Sequence, residues 1–590
     1  MMAANQPPND AITIGIDFGT TFSGVAWTYS REPDDIELVT SWDAEMRQCS
    51  DVEKAPTQLL CDGDGEGISW GYAIPPDKEP LKWFKLLLID RKDLPAEIAR
   101  SSKLQEARNL CNQIYKGPVE IIASFLRCLW IHSLESIKRT IGADMLSQFK
   151  LQVVITLPAI WPPYAQQRMR HAAQQSGILD ARPTADATTL NFISEPEAAA
   201  LATIKDLARL SAVNTGDTIV VCDAGGGTVD LISYVFESTE PFVVKECAKG
   251  DGDLCGGVFL DEAFLRLVKG KSPQAIWDSV SKADEKKFLN DHWEHTIKPQ
   301  FENQQRIWPV ELPDSCYCSS SRGLRRRVTL ELKSTEILSV FSPIARKIEA
   351  LVNRQVDAIL DKYNEGPKYI ILVGGFGRSR YLFARLRERF GSTVLQSRGN
   401  KPWTAICRGA VIHGLTRQSL YPSIGIKIEA RVARKSYGTD FDLPFVEGTH
   451  DERDRRWNEI NQEYQATRQM HWFLKEGDDV SRRRSIRHDY MRLYPEDAID
   501  AGYIAETIYC ATTSPPSSRR EDTTVERLCQ IEWTRNIATE MLPTYINSIG
   551  QVFRELTFQI QMDCDDGMVN FSVYHNGMEV GAQNVEVSFD

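Results

Sequence analysis

Two stretches of this chain hold the residue types that handle phosphate and a divalent cation. In the first, Asp17 is followed by Gly19, Thr20 and Thr21; far downstream, Asp223 is followed by Gly225, Gly226, Gly227 and Thr228. A turn with little side-chain bulk lets several backbone N–H groups converge on phosphate oxygens, and threonine hydroxyls add donors. An aspartate at the mouth of such a turn supplies a hard oxygen for Mg²⁺ or for its waters. One such turn is an ordinary Gly-rich hairpin. Two of the same design point to a pair of phosphate loops facing one nucleotide, with Asp17 and Asp223 flanking one metal.

The elements around these turns follow from hydrophobic patterning. Ile12 to Ile16 and Ile219 to Cys222 are apolar strands that deliver each aspartate to a strand end, and a second strand leaves each turn with no helical pattern. No Gly-x4-Gly-Lys-Ser/Thr is present, and the glycines open no helix, so neither the P-loop nor the dinucleotide design applies. A further strand, Tyr369 to Val373, runs into Gly374-Gly375-Phe376-Gly377-Arg378 and then a helix from Arg380 to Phe390. The backbone at Gly374 and Gly375 can lie along a nucleoside, with the Arg378 guanidinium stacked on a base. Helices are expected over Pro118 to Thr140 and Tyr164 to Ser176, with a buried strand Leu151 to Leu157 between them. Glu195 sits at a strand end before the proline-started run Pro196-Glu197-Ala198-Ala199-Ala200, whose small side chains predict close helix packing.

Composition limits the functional classes. A chain of 590 residues, 42% hydrophobic and 25% charged, is long enough for at least two globular domains. A net charge of -12 argues against a broad nucleic-acid or anionic-membrane footprint, and Arg325 to Arg327 and Arg482 to Arg484 read as solvated loops. No run reaches the roughly eighteen to twenty apolar residues of a membrane span. The first ten residues lack the basic start and apolar run of a secretory signal, so a short disordered tail (1–10) and a cytoplasmic or nuclear protein are expected. The 13 cysteines, an odd number spread through apparent core elements, read as reduced thiols; Cys316 and Cys318 have no zinc-spaced partners.

The four segments, in order, resemble the ATPase domain of the heat-shock-protein-70 chaperones, members of the actin and hexokinase superfamily: Ile16-Asp-Phe-Gly-Thr-Thr21, Ile193-Ser-Glu-Pro-Glu-Ala-Ala-Ala200, Asp223-Ala-Gly-Gly-Gly-Thr-Val-Asp230 and Val373-Gly-Gly-Phe-Gly-Arg-Ser379. The resemblance covers residues 11–420. It implies an α/β fold: an actin-like two-lobed ATPase domain of duplicated α/β subdomains, binding ATP or ADP with Mg²⁺ in a deep cleft. On that resemblance Asp17 and Asp223 organise Mg²⁺, while Gly19, Thr20, Thr21, Gly225, Gly226, Gly227 and Thr228 hold the phosphates. Glu195 positions or deprotonates the attacking water, and Gly374, Gly375 and Arg378 contact adenosine. The family's lysine near the γ-phosphate falls on Lys85, with Lys82 as the alternative. A nucleotide-sensing switch falls on Pro158 and Arg170, displaced by a short insertion at Trp161 to Pro163. Gly256 and Gly257 match a glycine turn before a helix over Leu260 to Val268. The Glu/Lys/Arg face that seats adenine in the family is not legible between Asp291 and Arg306, so a different base pocket is expected there.

Residues 421–590 change character. Leu556 to Met562, Met568 to His575 and Val585 to Phe589 alternate with period two and read as sheet. Their order resembles the family's peptide-binding β-sandwich, without an acidic-leucine linker near Arg417 to Ser423 and without a helical lid. Asp451 to Arg456 and Thr512 to Asp522 read as charged or flexible insertions. The pattern resembles the divergent, lidless branch of the family. It implies a slow, Mg²⁺-dependent, monomeric ATPase that couples nucleotide state to a polypeptide client, with a co-chaperone or nucleotide-exchange factor; the alternatives are a nucleotide-dependent scaffold with little turnover and a small-molecule kinase.

Overall fold

The computed structural model describes residues 11–586 apart from 44–51, 62–66, 76–77, 95–98, 160, 209–212, 273–276, 279, 314–315, 317, 320–324, 327, 397–398, 400, 418–425, 482–484 and 566–567. The chain divides into two compact units, one of residues 1–244 and 250–427 and the other of residues 245–249 and 428–590. The expected tail 1–10 and the expected boundary at 420/421 lie outside the described residues.

In the first unit the two loop-bearing strand pairs found in sequence anchor two sheets of one design. Ala11–Phe18 pairs antiparallel with Phe22–Tyr29 and parallel with Lys150–Leu157, which pairs parallel with Thr189–Ser194. Thr218–Ala224 pairs antiparallel with Val229–Thr239 and parallel with Tyr369–Val373, which pairs parallel with Val394–Gln396. In each sheet, five neighbouring strands, with Glu37–Leu38 and Phe242–Asp253 as the respective third, therefore lie side by side in the order third, second, first, fourth, fifth. The central strands are buried along their whole length, because helices cover the sheets and a side chain on either face leaves water.

The expected helices form at Pro118–Ile141, Pro163–Gln175, Val258–Lys271 and Arg380–Phe390. Proline opens the first, and the Glu120 carboxylate accepts from the Gly117 amide at 2.7 Å, meeting one of the amides a helix start leaves unpaired. Two helices exchange sheets. Glu195–Ala208 follows a strand of the first sheet but packs on the central hairpin of the second, while Lys401–Arg417 follows the second sheet and packs on the first. Where they cross, a Cβ on Gly409 would lie 1.7 Å from the Ala198 carbonyl oxygen, so the backbones touch. That contact is the physical use of the small residues at Ala198 to Ala200.

The second unit is antiparallel sheet. One sheet is ordered Arg455–Asn458, Glu463–Leu474, Ser436–Pro444, Ala505–Ala511, Val525–Glu532; the other runs Ser485–Pro495, Val552–Asp565, Met568–His575, Met578–Glu586. Tyr437, Ile508 and Ile531 of the first share one core with Leu556, Phe558 and Phe571 of the second. The alternation read at Leu556 to Met562 is the burial pattern observed: Leu556, Phe558, Ile560 and Met562 are inside, and Thr557 is exposed. The two expected insertions need correction. Arg519 holds Asp454 at 2.5 and 2.8 Å, the Trp472 indole donates to the Ser517 carbonyl at 2.9 Å, and Arg455–Asn458 is a paired strand, so the segments brace each other.

Candidate functional site

Asp17 and Asp223 occupy the same place in the two sheets, the penultimate residue of the central strand. Both line one cleft of about 2250 Å³ together with Thr20, Thr21, Glu195 and Arg378. The same wall carries Gly19, Gly225, Gly226, Gly227, Thr228, Gly374 and Gly375, so every cofactor-binding residue expected from sequence faces this cleft.

The loops are shaped by what takes their carbonyls. The Gly225, Gly226 and Gly227 carbonyls accept from the amides of Gly257, Val258 and Gly256 at 3.0, 2.9 and 3.1 Å. This fixes the loop's carbonyl side on the start of helix Val258–Lys271. A Cβ on Gly256 would meet the Gly226 oxygen at 2.4 Å, which explains the glycine turn noted there. In the first loop the Thr21 carbonyl is taken by the Thr57 amide at 2.8 Å, and the Ser23 and Thr57 hydroxyls are 2.8 Å apart. The loops also meet each other: a Cβ on Gly226 would come 2.2 Å from Thr21 Oγ1, and one on Gly227 would come 2.9 Å from Thr20 Oγ1. Gly374, at φ +83°, passes so close to Asp223 that a Cβ would lie 2.4 Å from its Oδ1.

Of the two candidate lysines, Lys85 reaches Glu195: its Nζ donates to Oε1 at 2.5 Å, and its side chain is 1% exposed. Lys82 lines the cleft and stands 3.8 Å from Glu79 instead. Trp161, from the short insertion, is buried with its ring 5.3 Å from Lys85 Nζ and helps close off this pair. Arg170 lies over the Phe192 ring at 5.0 Å.

Four carboxylates gather here, Asp17, Glu195, Asp223 and Asp230, and burial drives their electrostatics. Asp223 is held well above the usual carboxylate range by burial and then by Glu195, Asp230 and Asp17. Asp230 is pushed up to about 7 by burial and then by Glu195. Glu195 is raised by burial despite Lys85. The buried Asp223 Oδ1 has no hydrogen-bond partner, which suits a water-shelled cation, since Mg²⁺ keeps most of its waters and needs few protein ligands. Among the described residues no three His, Cys, Asp or Glu side chains converge to hold a metal ion by themselves.

Sequence reading missed three features. Lys54 is nearly buried and ion-pairs with Asp17 Oδ2; nothing in the spacing of Val52 to Thr57 announces it. Trp403 stands 3.6 Å from where a Gly375 Cβ would be, with Arg378 6.0 Å from its ring. A charged face also exists in the Asp291 to Arg306 region, where none was legible. Lys298 pairs with Asp261 and Glu294, each at 2.8 Å, and all three line the cleft. Its Glu294–Lys298 limb keeps ordinary i,i+4 spacing, and what hid the face is that its third member, Asp261, lies 37 residues upstream of Lys298, on another helix.

Fold and cleft define a class: an α/β protein with a duplicated sheet whose two glycine turns face one deep cleft. Comparison with known proteins narrows it. The chain is 25% identical to mouse heat shock 70 kDa protein 12A over 519 residues, 74% of this chain and 73% of that protein. It is 25% identical to human heat shock 70 kDa protein 12B over 595 residues, 85% of this chain and 83% of that protein. A chaperone protein HscA homolog of Acinetobacter baumannii (strain SDF) is 26% identical over 276 residues, 45% of this chain and 39% of that protein. A family model described as a domain of unknown function (DUF8568) matches residues 431–568. Over most of its length the chain is similar to divergent members of the heat-shock-protein-70 family. No described helix is long and apolar enough to cross a membrane.

Proposed function

We propose that this protein binds and slowly hydrolyses ATP and that its nucleotide state is coupled to binding of a polypeptide client by the antiparallel sheets of the second unit, read as a β-sandwich. The observation that carries the reading is the meeting of Asp17, Asp223 and Glu195 between two glycine/threonine turns in one cleft, with Lys85 on Glu195. The Gly226 to Thr228 stretch and the hydroxyls of Thr20 and Thr21 bind phosphate oxygens. Glu195, oriented by Lys85, holds the attacking water and accepts its proton. Gly374, Gly375 and Arg378 take the nucleoside, with Glu294 and Lys298 on the base side. Asp17 and Asp223 would hold Mg²⁺, and the ion would supply positive charge against the phosphates. An exchange factor and a cytoplasmic setting belong to the same reading.

One observation favours a second reading, a nucleotide-dependent scaffold with little turnover: Asp17 already has a cation in Lys54. Single-turnover hydrolysis of labelled ATP separates the two. Under the first reading Glu195→Gln retains ATP binding and loses about a hundredfold or more in rate, the scale of removing one general base. Tight binding with no turnover in the wild-type protein would replace the first reading by the second.

A further inference from the structure

Lys54 enters the phosphate site from a strand that no nucleotide motif includes. Lys54–Pro56 pairs antiparallel with Phe22–Tyr29, and the register puts Lys54 opposite Gly24, which is itself opposite Asp17. The lysine stem lies directly over Gly24: a Cβ there would meet Lys54 Cγ at 2.7 Å, Cε at 3.2 Å and Cδ at 3.3 Å. The glycine is the channel through which the side chain reaches Asp17. At its end the ammonium is 6.0 Å from the Trp403 ring, and Lys54, Asp17 and Trp403 all line the cleft.

A buried ion pair is an inefficient way to stabilise a fold, because desolvating two charges consumes most of what their attraction returns. This pair also faces a cavity that holds an unsatisfied carboxylate oxygen on Asp223. An ammonium has three donors, and Asp17 Oδ2 takes one. Lysine is a compact point charge able to serve several phosphate oxygens at once.

We propose that Lys54 is a resident phosphate-binding cation: it links Asp17 to the β- and γ-phosphate oxygens of a bound nucleotide and takes over part of the neutralisation a divalent ion supplies, so affinity for nucleotide depends only weakly on the metal. The inference rests on the nucleotide reading of the cleft and deepens it.

The test is calorimetric titration of ATP into the full-length protein in Mg²⁺ and in EDTA, for the wild type, Lys54→Met and Lys54→Arg. The wild-type Kd should change by less than about threefold on removing the metal, while Lys54→Met should lose about tenfold to a hundredfold in EDTA, the worth of a charge-assisted hydrogen bond, and regain most of it in Mg²⁺. Lys54→Arg should stay near the wild type in EDTA. The wild-type comparison needs no variant, so it stands even where Lys54→Met, which strands the Asp17 charge, folds poorly. Wild-type binding that is lost in EDTA but strong in Mg²⁺ would overturn the role of Lys54 and leave the nucleotide site intact, as would a folded Lys54→Met that matches the wild type in both buffers. No ATP binding by the wild type in either buffer would overturn the nucleotide reading itself, and this inference with it.

Discussion

The two phosphate hairpins share a backbone design and differ in the residue that faces their aspartate across the strand pair. Opposite Asp17 is Gly24, and the space it leaves is filled by Lys54; opposite Asp223 is Asp230, a second acid. One copy has its own counter-charge. The other concentrates acids, with Asp223 raised well above the usual range by burial and its acidic neighbours and Asp230 pushed up to about 7 by burial and Glu195, so both hold protons until a cation displaces them. A duplicated fold element thus keeps its strand pairing while its electrostatic role is set by one cross-strand position. The acid-rich copy, anionic once a cation displaces its protons, suits an exchangeable counter-charge, and the copy with Lys54 carries a fixed one.

Changing the acid-rich copy at its centre should have the largest effect. Asp223→Asn should lower single-turnover ATP hydrolysis by about a hundredfold or more, since it removes the acid best placed to share a cation with phosphate; a rate unchanged within about threefold would show that the copies do not differ in this way. Next is the seam between them. Gly226→Ala places a methyl against Thr21, and overpacking of this kind costs about 1–3 kcal/mol, so ATP affinity should fall about tenfold by titration.

The contrast in charge also has a pH signature in the nucleotide-free protein in EDTA. Asp230 binds its proton up to about pH 7 when folded, against an ordinary value of 3.8. Between these values the folded state holds more protons than the unfolded one, so stability falls as pH rises through the window. Asp230→Asn removes that cost. Its stabilisation should be absent toward pH 4 and grow to its full value by about pH 8, followed by thermal melts across the range. The smallest effect is expected at the copy with Lys54. Gly24→Ala crowds the flexible Lys54 stem rather than backbone, so ATP affinity in EDTA should fall by about threefold, and by less in Mg²⁺.

Much of the cleft was legible because its residues sit in turns, where local chemistry dictates residue type. Asp17, Asp223, the glycines and Glu195 announce themselves by apolar strands ending in residues that only a tight turn or a helix start requires. The helices over Pro118–Ile141 and Arg380–Phe390 were legible from their periodicity, as was the sheet at Val552–Asp565. Lys54 was not, because what defines it is a register between strands distant in sequence. The face around Lys298 was hidden for the same reason: its Glu294 limb is an ordinary i,i+4 pair, but Asp261, which completes it, comes from a helix far upstream. The bracing of Asp454 by Arg519 joins two polar segments whose composition alone reads as loop, and only the fold shows them to be partners.

The crossing of the two exchanged helices has a mechanical consequence. Gly409 rests on the Ala198 backbone, where a side chain on residue 409 has no room. Glu195 begins the other helix, three residues before this contact, and lines the cleft. A larger residue at 409 would wedge the two helices apart beside the start that carries Glu195, so this glycine sets the position of a carboxylate it does not touch.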